Sequence, residues 1–134
     1  MDETDRKILE ILEEDGRASY TDIAEQLGVS EGTVRNRVDR MIEDEEIEKF
    51  TVETSRKGAK AILMADLSTE KDIELILEEF PVDMEVNEVA GDYDLIIEFS
   101  RDNTEKLNQQ IDQIRQIEGV IDTRTYTVLK TRSL

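Results

Sequence analysis

Three residue types are missing from this 134-residue chain: cysteine, histidine and tryptophan. Without cysteine there is no disulfide and no thiolate chemistry. Without histidine as well, the usual zinc and haem ligands and any imidazole acid–base catalyst are gone. Only carboxylates remain to hold a metal, and they would favour hard cations. We therefore expect no catalytic residue, no metal site and no cofactor. Proline occurs once, at Pro81, and aromatic residues make up only 4% of the chain. Apolar runs such as Leu95-Ile96-Ile97 fall far short of the roughly 20 residues needed to cross a bilayer. The opening MDETDRKILEIL has no basic stretch of the signal-peptide kind and reads as the first turn of a helix. The expectation is a cytoplasmic protein without a membrane partner.

What the chain has in excess is negative charge. It holds 34 Asp+Glu against 17 Lys+Arg, a formal net charge of −17. High charge with few aromatics can signal disorder, but apolar residues recur periodically through nearly the whole chain. Such acidity argues against simple attraction to nucleic acid or anionic lipid. Ten arginines against seven lysines, with acids spread over every segment, resemble the proteins of salt-in halophiles, and a halophilic archaeal source is expected. The length fits one domain or two small ones with thin cores, and oligomerisation would add buried surface.

Residues 1–48 read as three helices. Ile8, Leu9, Ile11 and Leu12 recur at helical spacing, and the run Glu13-Glu14-Asp15-Gly16 ends the first. Ser19 is an N-cap candidate with Asp22 at the capping-box position, and Ile23, Ala24 and Leu27 point inward. Gly28-Val29 makes the turn, and Ser30 caps a third helix. The spacing from Ala24 to Gly28 to Val34 suits a helix-turn-helix: a small residue for close approach, a glycine for the turn, a branched residue to dock the second helix. At about 100° per residue, Val34, Val38 and Met41 share one face of SEGTVRNRVDRM, residues 30–41. Thr33, Asn36 and Arg40 then face outward, with Arg35 and Arg37 on the flanks. Short polar and Arg or Asn side chains are what a helix in the major groove presents, and flanking arginines reach phosphates. Ser30, Thr33, Arg35, Asn36, Arg37 and Arg40 are thus the candidate contacts to double-stranded DNA. The alternative is an ordinary solvated face, with Arg35 paired to Glu31 or Asp39. In molar salt the Debye length is only ~3 Å, so remote acids would matter little to such a local basic patch.

Residues 49–61 read as a linker with a connecting strand, and 62–134 change pattern. ILMADL, MEVNEVA, DLIIEF and VIDTRTYTVL read as strands; TEKDIELILEEF and Thr104–Ile117 read as helices, the first stopped by Pro81. The order is βαββαβ, a ferredoxin-like split βαβ. The fold class is α+β, with an N-terminal winged-type helix-turn-helix and a C-terminal ferredoxin-like domain. One sheet face is left bare, and a second copy is the simplest cover. Gly91-Asp92 can be read as a hairpin turn needing positive φ, with Tyr93 as packing.

A helix-turn-helix followed by βαββαβ, with GDYDL in the central hairpin and GVIDTRTYTVL at the end, resembles the Lrp/AsnC (feast/famine) transcriptional regulators over nearly the whole chain. The resemblance implies dimers that stack their sheets, further assembly to tetramers or octamers, and an amino-acid effector bound where dimers meet. Carried over, its effector-binding positions are Gly91, Asp92, Tyr93 and Asp94, with Tyr126, Thr127 and Val128 opposite. A carboxylate, Asp94 foremost, suits an α-ammonium, and backbone N–H groups of a glycine turn suit an α-carboxylate.

Two other functions compete. Some proteins of similar layout are haem-precursor decarboxylases, but those resemble the regulators while relying on histidine, which is absent here. An assembly module that has lost DNA binding would leave no reason for a clustered basic face at 35–40.

Overall fold

In a computed structural model, the chain divides into two compact units, Met1–Ser55 and Arg56–Leu134, and residues 1–54 and 58–134 are described.

The first unit consists of helices α1 (Glu3–Glu14), α2 (Tyr20–Leu27) and α3 (Glu31–Glu43). Each begins on a side chain that takes an orphan backbone N–H. Asp2 accepts from Asp5 N, Ser19 Oγ from Asp22 N, and Ser30 Oγ from Thr33 N. The full capping box belongs to α1, where Asp5 reciprocates; at α2 Asp22 only donates its backbone N–H. Gly28 ends α2 with φ +67, the left-handed value that the tight turn requires. Ile8, Ile23, Val34, Val38 and Met41 are essentially inaccessible, with Ala24 among them, so the three apolar stripes close on one another. Burying a side chain of this size contributes about 1.5–3 kcal/mol. No strand follows α3 through residue 54. The connecting strand and wing expected after the helices are therefore not formed among the described residues. Residues 55–57 of the expected 49–61 linker lie outside them, and 59–61 already belong to a sheet.

In the second unit β1 (Ala59–Leu67) pairs antiparallel with both β3 (Leu95–Arg101) and β4 (Val120–Thr127), and β2 (Glu85–Glu88) lies outside β3. The sheet order β2-β3-β1-β4, with α4 (Ile73–Glu78) and α5 (Thr104–Arg115) as crossovers, is the expected ferredoxin-like arrangement. Alternation fixes its two faces. Ala61, Leu63, Ala65, Leu67, Leu95, Ile97 and Phe99 are buried in one core with Ile76, Leu107, Ile111 and Ile114 of the helices. Ile62, Met64 and Ile96 lie on the other face, half-buried.

Several boundaries differ from the sequence reading by a few residues, and two of the differences have a local cause. Strand β1 starts at Ala59 rather than 62, because Ala59 and Lys60 pair with Arg101 and Ser100. Helix α4 covers only six of the twelve expected residues: Asp72 caps its start, accepting Glu74 N, and it ends two residues short of Phe80-Pro81.

Candidate DNA-reading helix and effector site

Helix α3 is anchored through Val34, Val38 and Met41, and this fixes where its polar side chains go. Asn36 and Arg40 are exposed and have no side-chain hydrogen bond or ion pair among the described residues. Thr33 is half-buried, and its hydroxyl lies 2.9 Å from Ser30 Oγ, so both hydroxyls serve the helix start. Arg35 donates to Glu31 at 2.5 Å and sits over the Tyr20 ring, 5.2 Å from its centroid. This is the solvated-face pairing weighed above, with an aromatic contact to α2 added. Glu31 holds the Arg35 guanidinium above its usual pKa. Arg37 turns back into its own unit and donates to Asp2 and Asp5, which likewise raises its pKa. Of the three arginines, only Arg40 stands free among the described residues.

At the other candidate site the sequence reading needs correcting in geometry. Residues 89–94 form a loop between β2 and β3, not a tight two-residue turn. Gly91 does not adopt positive φ, and a Cβ there would meet open space. Asp94 is built in: its Oδ2 accepts Leu67 N at 2.8 Å, and its backbone N donates to Ala65 O at 3.0 Å. The reason lies in β1, where the register with β4 shifts between Asp66 and Leu67. Such an irregularity frees a ladder donor, and the Asp94 carboxylate takes it.

Within one chain the expected halves approach one another only around Arg124, on which Tyr93 and Tyr126 both act. Tyr93 reaches Asp122, its hydroxyl 3.5 Å from Oδ2, beside the Asp66 end of β1. Tyr126 and Thr127 pair with Ile62 and Ala61, and Val128 N donates to Lys60 O. Five residues of strand separate the Ala65 and Lys60 positions, roughly 16 Å.

Three residues at this site were missed. Asp66 and Asp122 are cross-strand neighbours; with Asp92 and Asp94 they crowd four carboxylates around the loop. Desolvation first, then Asp94, Asp122 and Asp92, push the Asp66 carboxyl above its usual pKa. Arg124 lies between the two ends of the strand, its pKa raised mainly by a hydrogen bond to Tyr126 and by Tyr93. The alternation in VIDTRTYT placed Asp122, Arg124 and Tyr126 on one face, but only the sheet register could set Asp122 beside Asp66. A groove of ≈ 640 Å³ lined by Val82, Asp83, Arg101 and Gln110 lies at the opposite end of β3. Arg101 is spent there on the Val82, Asp83 and Ser100 carbonyls and Gln110, so it offers no free charge to a ligand.

A three-helix unit with a glycine-turned helix pair, followed by a βαββαβ unit, defines a helix-turn-helix protein with an appended sensory fold. Residues 1–42 match the AsnC-type helix-turn-helix domain, and residues 61–133 match the Lrp/AsnC ligand binding domain. The chain belongs to the Lrp/AsnC family. It is 36% identical to the HTH-type transcriptional regulator LysM of Saccharolobus solfataricus, with 98% of this chain and 95% of that protein covered. The E. coli AsnC structure superimposes with a TM-score of 0.83 at 25% identity, covering 100% of this chain and 95% of AsnC. A transcriptional regulator from Neisseria meningitidis, solved as an L-Met complex, gives 0.84 at 20% identity over 100% and 93%. The curated relative LysM is named as a transcriptional regulator and both family models are those of Lrp/AsnC regulators, which goes against the decarboxylase alternative.

Proposed function

We propose that this protein is a sequence-specific DNA-binding transcriptional regulator whose assembly or DNA affinity responds to a small amino acid bound between copies. The observation that carries the DNA half is the outward face of α3. Asn36 and Arg40 are exposed and, among the described residues, uncommitted, on a helix whose opposite face is wholly buried. Asn is suited to adenine and Arg to guanine in the major groove. Ser30, Thr33 and Arg35 border that face. Arg35 can reach a phosphate by exchanging Glu31 for it, at little cost, because exposed ion pairs are weak.

The effector half rests on the carboxylate cluster at Asp66, Asp92, Asp94 and Asp122, which suits an α-ammonium. The N. meningitidis relative was solved with L-Met, an amino acid of this general kind. Thr127 and Val128 lie farther along β4 from Gly91–Asp94, whereas Tyr126 and Tyr93 both approach Arg124; a site completed by another copy is the proposed arrangement. The bare sheet face supports pairing of copies. It carries Ile62, Met64 and Ile96 at its centre, Lys60, Arg124, Asp66 and Asp122 on the β1–β4 half, and Glu85 and Glu98 on the β2–β3 half. A homodimer assembling further, to a tetramer or octamer, is the proposed state. An effector at the contacts would shift the populations of assemblies and so the half-sites engaged together.

The test is a binding titration of wild type and an Asn36→Ala/Arg40→Ala variant on its own promoter and on a random-sequence pool, in molar KCl, with and without amino acids. Specific binding should fall at least tenfold in the variant and change with one or more amino acids. A wild type that binds neither DNA leaves only the assembly-module reading.

A further inference from the structure

Arg37 stands on the reading helix, yet it is tied to α1 by a closed ring of polar contacts. Asp2 Oδ1 accepts Asp5 N at 3.0 Å, and Asp5 Oδ2 accepts Asp2 N at 3.2 Å. The two remaining carboxylate oxygens, Asp2 Oδ2 and Asp5 Oδ1, both receive Arg37 Nη1, the second at 3.3 Å. Each of the four oxygens therefore has a donor, and a single guanidinium nitrogen closes the ring across 35 and 32 residues of chain. Asp5 is 6% exposed, the one buried charged side chain among the described residues, and the Arg37 side chain is 27% exposed.

We propose that Arg37 is a positioning residue: it fixes the rotation of the reading helix against α1 and leaves the DNA to Asn36 and Arg40. This rests on the reading of α3 as the DNA-reading helix. Of the other ties of α3 to its unit, Arg35 makes an exposed stack on Tyr20 of α2, and Val34, Val38 and Met41 are apolar and non-directional. They hold the helix down but resist a small rotation weakly. A charge-assisted hydrogen bond is directional, and Arg37 adjoins Asn36 and lies three residues from Arg40. A rotation about the α3 axis moves both of their side chains together. Drawing Arg37 out to a phosphate would leave the Asp5 carboxylate, itself only 6% exposed, without its cation, which is unfavourable. Partly buried pairs are also screened less than exposed ones, so the ring keeps its hold in salt.

The experiment uses the full chain with four forms: wild type, Arg37→Met, Asp5→Asn and the double variant. Each is checked for folding by circular dichroism and assayed well below its Tm, on a selected DNA site and on a random pool, over a salt series. Asp5 lies on α1, and among the described residues its one hydrogen bond to α3 is the one from Arg37. As a positioning residue, Arg37→Met and Asp5→Asn each weaken specific binding on the order of tenfold, and the double variant is no weaker than the worse single. Binding to the random pool and the slope of log K against log[salt] stay as in wild type. A phosphate contact gives another pattern: Arg37→Met flattens the slope by about 0.9, weakens both DNAs alike, and Asp5→Asn binds normally. That result overturns the proposal while leaving the reading of α3 intact. Lower Tm in both variants with unchanged specificity also overturns it, in favour of a purely structural tie. A wild type that binds neither DNA overturns the reading of α3, and this proposal with it.

Discussion

On α3, two of three arginines are matched to carboxylates of their own unit, Arg35 to Glu31 and Arg37 to Asp2 and Asp5. Around the Leu67 end of β1, four aspartates gather, and every influence on Asp66 raises its pKa. The first cluster is balanced: the Arg37 guanidinium, foremost, holds the Asp2 carboxyl down at about 2. The second is frustrated, carrying a repulsion that a cation or a proton would relieve. A reading surface gains from rigid, neutralised supports, whereas a sensing surface gains from an unmet electrostatic need. Strained arrangements of this kind persist where the surroundings over-determine them. Here the Asp94 bond to Leu67 N pins the cluster in place.

That pin gives the largest expected effect. Asp94→Ala removes the acceptor of Leu67 N and leaves the donor unmet beside the sheet, at a cost of about 1–3 kcal/mol. Asp94→Asn keeps an oxygen acceptor and removes one charge from the cluster. It should melt at or above the wild-type temperature, while losing any response to the amino-acid effector. Thermal melts of the two variants separate the roles; equal losses in both would mean that the charge, and not the acceptor, holds the bulge.

Acid should move the two clusters in opposite directions. A carboxyl with a lowered native pKa stabilises above its unfolded value and loses that contribution as pH falls through the native value. For Asp2 the loss runs from about 3.8 down to about 2. Asp66 has the reverse sign: its native pKa is raised above 3.8, so protonation favours the fold. Stability of its unit therefore rises as pH falls from neutrality toward 3.8. Asp66→Asn should abolish that rise and, in dilute buffer, raise the neutral-pH Tm; molar KCl should shrink the difference by screening the neighbouring carboxylates, leaving the part due to desolvation. Unfolding followed by amide signals in each unit from pH 7 to 2 checks both signs.

How much of this was legible depended on how far apart in the chain the interacting residues lie. The caps Ser19 and Ser30, the glycine turn and the inward stripe of α3 are local patterns, and the sequence placed them correctly. Sheet topology also followed, because alternation and the turn signals agree. The Arg37 ring was not legible: wheel geometry put Arg37 on a flank, but only packing of α1 against α3 brings residues 2 and 5 to it. The same holds for Asp66 with Asp122, a pairing set by register across 56 residues. Glu45 adopts φ +57 after α3 where no glycine marks the turn, a position that composition alone could not flag. The expected pocket partners Tyr126, Thr127 and Val128 were placed by family likeness; one chain's register sets Thr127 at the Ala61 end of β1, while Tyr126 shares Arg124 with Tyr93 of the loop.

The smallest effect is expected at the exposed pair. Glu31→Gln releases Arg35 from its ion pair on the open face of α3 while leaving the stack on Tyr20 in place. Exposed i,i+4 pairs contribute little to stability, so the Tm should shift hardly at all. DNA affinity should nonetheless rise a few-fold at moderate salt, because one negative charge leaves the reading face and Arg35 becomes free to meet a phosphate. The gain should shrink in molar KCl as the exposed charge is screened. A salt series on a selected site, comparing Glu31→Gln with Asp5→Asn, sets the two kinds of carboxylate against each other. Removing the exposed one should strengthen binding and removing the buried one should weaken it. If both variants move in the same direction, the division of α3 into a free reading edge and a tied supporting edge does not hold.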